Sequence, residues 1–366
     1  MTEDSCFWSG LFSGTFCHFE TRLELRPLNI LIGENTAGKS NVIEAIGLLQ
    51  AMPQDFRVAI LRGGGARFWL WLGGKVVSPI ATLGFDTGGV EYRMEFSEDA
   101  RGLVILNERL AAGETIHYDR TAPGAPWIPG PTDALFAFNK SPQDPTPITG
   151  IGRKLEEIRV YREFQTGSRS GSRQGVSTGV AGDYLSDGGD NLALVLQDLN
   201  FRGVQERIAE YVSRLSDRIG DVRVKLDGSI AKAFLVERKL LEPLPSARMS
   251  DGTLKFLCLL AVLLHPDPPP LVCIEEPEQG LHPDAIGIVA QLLKDASERM
   301  QLVVTTHSEA LIDAFSDSPE DVLVCERDEQ EGTQCTRLSA GQLEHWLQRY
   351  SLGQLWRKGE IGGTRW

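Results

Sequence analysis

The chain lacks long apolar runs, is short of basic residues against its acids, and has no paired-cysteine motif; each shortage removes a class of protein. Its longest uninterrupted apolar stretch, 256–264, is nine residues, whereas a membrane-spanning helix needs about twenty. No membrane span is expected. The opening Met1-Thr-Glu-Asp-Ser-Cys6 is acidic and lacks the basic-then-apolar layout of a secretory signal, so a cytoplasmic location is expected. The six cysteines (Cys6, Cys17, Cys258, Cys273, Cys325, Cys335) form no C-x-x-C pair. They read as reduced, mostly buried thiols rather than a zinc site or a disulfide frame. With 37 Lys and Arg against 50 Asp and Glu, the formal charge is −13. That excludes a surface coated in positive charge and leaves room only for a local basic groove. Internal repeats and sustained heptads are also missing.

Across 366 residues, 42% are hydrophobic and 24% charged. This is enough to build a sizeable core and suits one large α/β domain with an insertion, or two domains. An apolar run at 28–32 enters a glycine loop, after which Val42, Ile43, Ala45, Ile46 and Leu49 recur at helical spacing. From 57 to 150 the character changes. Glycine runs at 63–65, 73–74 and 88–89 separate short runs at 81–85 and 90–96, and 121–147 carries seven prolines. The first pattern predicts antiparallel strands with tight turns, the second an irregular loop. The expected division is therefore an α/β domain of 1–56 plus 151–366 with an inserted β-rich lobe at 57–150. In the remainder, strands are expected at 158–161, 271–274 and 302–305, with a strand pair at 222–226 and 233–237. Helices are expected at 191–199, 204–215, 253–264 and 284–300, and a mobile loop at 165–182.

Gly33-Glu-Asn35-Thr36-Ala37-Gly38-Lys39-Ser40 fits G-x-x-x-x-G-K-[ST]. In such a loop the backbone N–H groups face phosphates and the following helix N-terminus adds partial positive charge. Lys39 would reach the β- and γ-phosphates, and the Ser40 hydroxyl would bind Mg²⁺. A functionless glycine turn could carry the same letters; its place between an apolar strand and an amphipathic helix favours a nucleotide. Leu271-Val-Cys-Ile-Glu275-Glu276 is an apolar strand ending in two carboxylates. One can hold the shell of a metal ion and the other can orient the attacking water. Ser250-Asp-Gly252 precedes an apolar helix. Alone it is an ordinary N-cap turn, but its hydroxyl, glycine backbone and helix N-terminus also suit a second anion site. Val303-Val-Thr-Thr-His307-Ser308 puts a histidine just past the next strand, where it could contact the γ-phosphate.

In this order the phosphate loop with Lys39-Ser40-Asn41, the Ser250-x-Gly252-x-x-Lys255 signature, the Ile274-Glu-Glu-Pro-Glu-x-Gly-Leu-His-Pro strand end and Thr305-Thr-His-Ser308 resemble the ABC-type ATPases of the SMC, RecF and OLD group. The resemblance is to its compact "AAA family ATPase" branch, which the closing Leu352-Gly-Gln-Leu-Trp356-Arg-Lys-Gly-Glu-Ile-Gly-Gly363 also resembles. It covers about 12–50 and 245–310, with the middle matched only loosely. It implies an ABC head, a mixed β-sheet with flanking helices, that binds ATP and Mg²⁺. Gly33, Asn35, Thr36, Ala37, Gly38, Lys39, Ser40 and Asn41 would cradle the nucleotide. Ser40 and Glu275 would hold the metal, with Gln165 as the family's metal-binding glutamine. Glu276 would be the catalytic acid and His307 the switch, while Ser250 and Gly252 would act on the ATP of a second copy. Glu275 stands where an aspartate is usual; its extra methylene still reaches the metal shell, directly or through water.

The chain has no long coiled coil between loop and signature, unlike SMC and RecN proteins. Only about sixty residues follow His307, without the Asp-x-Asp cluster of a Toprim nuclease. The expected function is an ATP-dependent homodimer acting as a switch or motor in DNA-related defence or repair and controlling a separate effector such as a nuclease. A RecF-like repair ATPase is the alternative. A transporter-energising subunit fits poorly, because Ser250 lies 210 residues after Ser40 and such subunits usually space these motifs by about a hundred. Arg153, Lys154, Arg159, Arg162, Arg169 and Arg173 exceed the acids of 153–173 by three and are the best local candidates for contact with a DNA backbone. Leu355-Trp356-Arg357-Lys358 is a candidate docking segment, or a tail folded onto its own core.

Overall fold

The computed structural model describes residues 11–15, 21–70, 79–122, 130–137, 141, 143–328 and 332–363. Residues 28–32 are apolar apart from Asn29 and all five are buried, the pattern of a strand covered on both faces. As β1 (Leu28–Ile32) they run into the glycine loop and α1 (Lys39–Ala51). Then follow β2 (Arg159–Tyr161), α2 (Asp251–Leu263), β3 (Leu271–Glu275), α3 (Pro283–Ser297), β4 (Gln301–Thr305), α4 (Glu309–Asp313), β5 (Val322–Asp328), β6 (Gly332–Arg337) and α5 (Leu352–Arg357). The strands assemble in the order β6-β5-β1-β4-β3-β2. All neighbours are parallel except the β5–β6 hairpin at the edge. Leu31 pairs with Thr305, and Thr305 with Glu275. The loops leaving β1, β3 and β4 therefore open together at the carboxyl edge of the sheet, where open α/β sheets bind ligands.

Buried Asn29 is no exception to the apolar strand. Its amide nitrogen donates to the Arg26 and Leu302 carbonyls, and its oxygen accepts from Arg26 N and Arg337 Nη2, so its polar atoms are satisfied.

A second, antiparallel sheet has the order Thr21–Glu24, Leu11–Thr15, Ala81–Thr87, Val90–Asp99, Gly102–Ala112, Thr115–Asp119. Its inner residues Leu83, Phe85, Tyr92, Met94 and Phe96 share one core with Ile43 and Ile46 of α1, Leu31 of β1 and Cys273 of β3. The chain is thus an α/β head with a β-rich lobe, as expected. The lobe draws its two outer strands from 11–24, however, outside the expected 57–150 segment. That segment also holds helix Phe56–Arg62, and helix Pro147–Glu157 begins where loop was expected. The reason is capping. Asp55 accepts from Val58 N, Thr146 accepts from Ile148 N, and Pro147 occupies the first turn, so these turn-like residues start helices. The proline-rich stretch at 123–129 lies outside the described residues, as do Cys6 and Cys17.

A third small sheet is built on the expected hairpin, Ile219–Asp227 with Ile230–Glu237, under helices Leu192–Phe201 and Gln205–Leu215. The 165–182 stretch, expected as a mobile loop, is tied down instead. It contains the short helix Gly171–Gln174, and Arg173 donates to the carbonyls of Thr166, Ala247 and Met249 and pairs with Asp251. Among the described residues no helix is long and apolar enough to cross a membrane.

Candidate functional site

The phosphate loop is shaped by what lies behind it. Gly33 has φ +150°, and a Cβ there would collide with the Cys325 carbonyl oxygen of β5; Gly38, at φ +93°, is packed against Thr333 of β6. Both positions demand glycine for conformation and for space. Thr36 also takes a positive φ, +75°. Gly38 is the N-cap of α1 and caps with no side chain, and the first turn carries no acid. The helix therefore presents bare N–H groups and the positive end of its dipole to the loop. Lys39 is buried, and its Nζ donates to the Gly33 and Glu34 carbonyls, both at 2.8 Å. Burial lowers its pKa, while Cys325 and Glu276 pull the other way. Asn35, Thr36, Ser40 and Asn41 are exposed and Ala37 is buried.

Across the sheet edge, Glu275 ends β3 with the Ser40 hydroxyl near its carboxylate. Its buried Oε1 accepts no hydrogen bond from a described residue and faces the Arg162 guanidinium at 3.6 Å. Burial raises the Glu275 pKa, and Arg162 opposes that shift. A serine hydroxyl beside a carboxylate whose buried oxygen lacks a donor is an oxygen-ligand set that fits Mg²⁺. Glu276 follows at φ +45°, a conformation that non-glycine residues rarely take and that costs about 1–3 kcal/mol. Its N–H donates to the Thr305 carbonyl at 3.0 Å. The bend takes its side chain away from the strand direction, and Oε1 comes 3.7 Å from His307 Nε2. Burial, then the Lys39 charge, lowers the pKa of His307, with Glu276 opposing; the imidazole is neutral near pH 7.

Glu278, which sequence reasoning left without a role, and Arg162, which it counted among the candidates for DNA contact, belong to this edge. Glu278 is half-buried, and its Oε1 accepts from the Thr306 hydroxyl (2.6 Å) and His307 N (3.1 Å), which ties the two strand-end loops together. Arg162 joins Glu44 and Glu275 at 3.6 Å each. The only sequence signal for Glu278 was its place in the Glu-Glu-Pro-Glu strand end; Arg162 was expected to face a DNA backbone, whereas here it faces two carboxylates.

Gln165 stands exposed in a neighbouring groove with Glu44, Arg162 and Asp187. Among the described contacts, none links its side chain to Ser40 or Glu275. Ser250 is the N-cap of α2, accepting from Thr253 N at 3.1 Å. A Cβ on Gly252 would press on the Gly280 carbonyl. The exposed groove beside them is lined by Arg248, Ser250, Gly252, Thr253 and His282 and shares no residue with the phosphate loop. The expected basic segment is not one free patch. Arg162 faces carboxylates, Arg173 is bound internally, and Arg159 donates to the Glu156 and Ile158 carbonyls and lies over the Tyr184 ring. The candidate docking segment is folded back: Leu352 and Leu355 are fully buried, and the N–H groups of Leu352 and Gly353 donate to Ser316 and Asp313.

A loop that grips a phosphate chain, a Ser–Glu pair suited to a metal, and an acid beside a histidine at one sheet edge are the parts of a nucleotide hydrolase. Residues 155–313 match the family described as AAA domain, putative AbiEii toxin, Type IV TA system; the match begins after the phosphate loop and includes Ser250, Glu275, Glu276 and His307. No curated protein matches the chain. Among solved structures, an Smc head bound to the C-terminal winged-helix domain of ScpA is 13% identical, with a TM-score of 0.59 over 92% of this chain and 99% of that one. An Smc head with an extended coiled coil, bound to the C-terminal domain of ScpA derived from Pyrococcus furiosus, is also 13% identical, with a TM-score of 0.56 over 93% and 98%. The chain has the fold of an Smc head. Among the described residues there is no long coiled-coil helix: the longest, α3, has 15 residues.

Proposed function

We propose that this ATPase binds ATP with Mg²⁺ at the loop 33–41, dimerises head to head on it, and separates on hydrolysis. The observation that carries the reading is the bent-back Glu276, 3.7 Å from His307, set beside Glu275 and the nearby Ser40 at the end of the phosphate loop. Lys39 leaves the loop carbonyls for the β- and γ-phosphates. The hollow lined by Glu34, Thr36, Arg327 and Gly363 lies beside the loop and can take the nucleoside end. Mg²⁺ would be held by Ser40 and Glu275, with Gln165 completing its shell, and would neutralise charge developing on the phosphates. Glu276 accepts a proton from the attacking water, and His307, held by Glu278, donates toward the γ-phosphate. Ser250 and Gly252, in a groove of their own, meet the γ-phosphate of a second copy.

The segment 57–150 acts in this reading as an elaboration of the head, and the cycle controls a separate effector, such as a nuclease, in defence or repair of DNA. Two findings support the effector: the family description names a putative toxin of a type IV system, and both Smc heads carry a bound protein. The test is the mass of Glu276→Gln protein in solution. With saturating ATP and Mg²⁺ it should be a dimer, and adding Ser250→Arg should return it to a monomer. A monomer in both cases would refute the head-to-head reading.

A further inference from the structure

The phosphate loop leans on a hairpin that carries two thiols face to face. Cys325 of β5 and Cys335 of β6 are direct partners in the antiparallel register, and their Sγ atoms are 2.8 Å apart. Both are free cysteines. Cys325 is fully buried; Cys335 is half-exposed. Directly opposed residues of antiparallel strands have Cα atoms about 4.5–5.5 Å apart, inside the range a disulfide spans, so the bond closes without moving the backbone far. The same hairpin is the rear wall of the nucleotide site. The Cys325 carbonyl fills the space where Gly33 would carry a Cβ, and Thr333, two residues from Cys335, fills the space at Gly38.

We propose that Cys325 and Cys335 are an oxidation site, forming a reversible disulfide that alters the grip of the phosphate loop. The oxidant is hydrogen peroxide. The Cys335 thiolate attacks one peroxide oxygen; the S–O bond forms, the O–O bond breaks, and the departing hydroxide takes a proton to become water. The sulfur is now a sulfenic acid. The Cys325 sulfur attacks it, the S–S bond forms, the S–O bond breaks, and the second hydroxide leaves as water with the Cys325 proton. The two thiols lose two electrons to the peroxide, and two waters are made. The hydrogen bond with Cys335, then burial, keeps Cys325 a thiol, so the half-exposed Cys335 meets the oxidant first. A dithiol reductant reverses the bond by exchange, itself becoming a cyclic disulfide. Because Gly33 and Gly38 have no slack against the hairpin, a sub-ångström shift of the wall is passed to the loop and to Lys39.

The experiment treats the full chain, carrying Cys6→Ser and Cys17→Ser, with hydrogen peroxide, and follows free thiols, peptide masses and binding of a fluorescent ATP analogue. The expected result is loss of two titratable thiols, a cross-linked peptide pair holding Cys325 and Cys335, and about tenfold weaker binding of the analogue, all restored by dithiothreitol. Cys335→Ser protein should keep its affinity with and without peroxide. Retention of both thiols, or oxidation of Cys335 only to an acid without cross-linking, overturns the site. A cross-link that leaves affinity unchanged overturns the coupling to the loop. Only the affinity arm rests on the proposed ATP function; the peptide map stands without it. Should Cys335→Ser not fold, the map of the parent protein decides.

Discussion

His307 is lowered in pKa by its burial and by the Lys39 ammonium, and raised by Glu276. The signs lead to a direct expectation. Its neutral form persists below pH 6.5, so turnover that needs a neutral imidazole should fall only at a midpoint beneath that value. Removing the Lys39 charge withdraws one lowering influence. In Lys39→Ala protein the His307 ring resonances should therefore titrate at higher pH than in the parent, as NMR would show; an unmoved or lower midpoint would mean that the two side chains do not face each other. At this scale the sequence announced most of the chemistry. Lys39, Ser40, Glu275, Glu276 and His307 could be singled out from loop spacing and from their positions just past apolar strands, and the fold gathers them at one sheet edge. The roles of Glu278 and Arg162 could not be read, because they are to hold other residues. A half-buried carboxylate serving two loops is spelled like any surface acid until the chain folds.

At the scale of elements, the strand–loop–helix unit was plain in the change from an unbroken apolar run to helical spacing. The cap at Thr146 fell within a stretch read as loop and the one at Asp55 went unread, since the residues that start helices are also those that make turns. Pairing of Gly14 with Leu83 joins segments nearly seventy residues apart and leaves no local mark, so the lobe's outer strands were assigned elsewhere. The wall behind the phosphate loop was equally hidden: only in the fold do β5 and β6 press on Gly33 and Gly38. Gly33→Ala tests that wall. The added methyl meets a backbone carbonyl that cannot swing aside, so the loop must shift. ATP affinity should fall by about tenfold or more, given that a 1 Å misplacement can cost a factor of a hundred. Melting temperature should fall with it. Calorimetric binding with parent-like affinity would show that the loop has room the packing denies it.

For the molecule as a whole, two sheets share one core across α1, and the edge that binds nucleotide is built from β1, β3 and β4. Ser250 sits in a groove apart from that edge, and under the proposed head-to-head cycle it would act on the ATP of a second copy, so slow turnover is expected of isolated protein. The proposed function assigns the acids at the strand ends to ATP, so purified protein with Mg²⁺ or Mn²⁺ and ATP should leave plasmid and linear DNA intact. Cleavage that survives both Glu276→Gln and stringent purification would place a second active centre elsewhere, most directly in the 57–150 segment. The central claim is that Lys39 grips ATP and Glu276 spends it, and ATP affinity measured beside turnover in three proteins tests it most directly. The parent should bind and hydrolyse ATP with Mg²⁺, Lys39→Ala should lose binding, and Glu276→Gln should bind as the parent does with its hydrolysis abolished. Equal ATP affinity in the parent and Lys39→Ala would contradict the account.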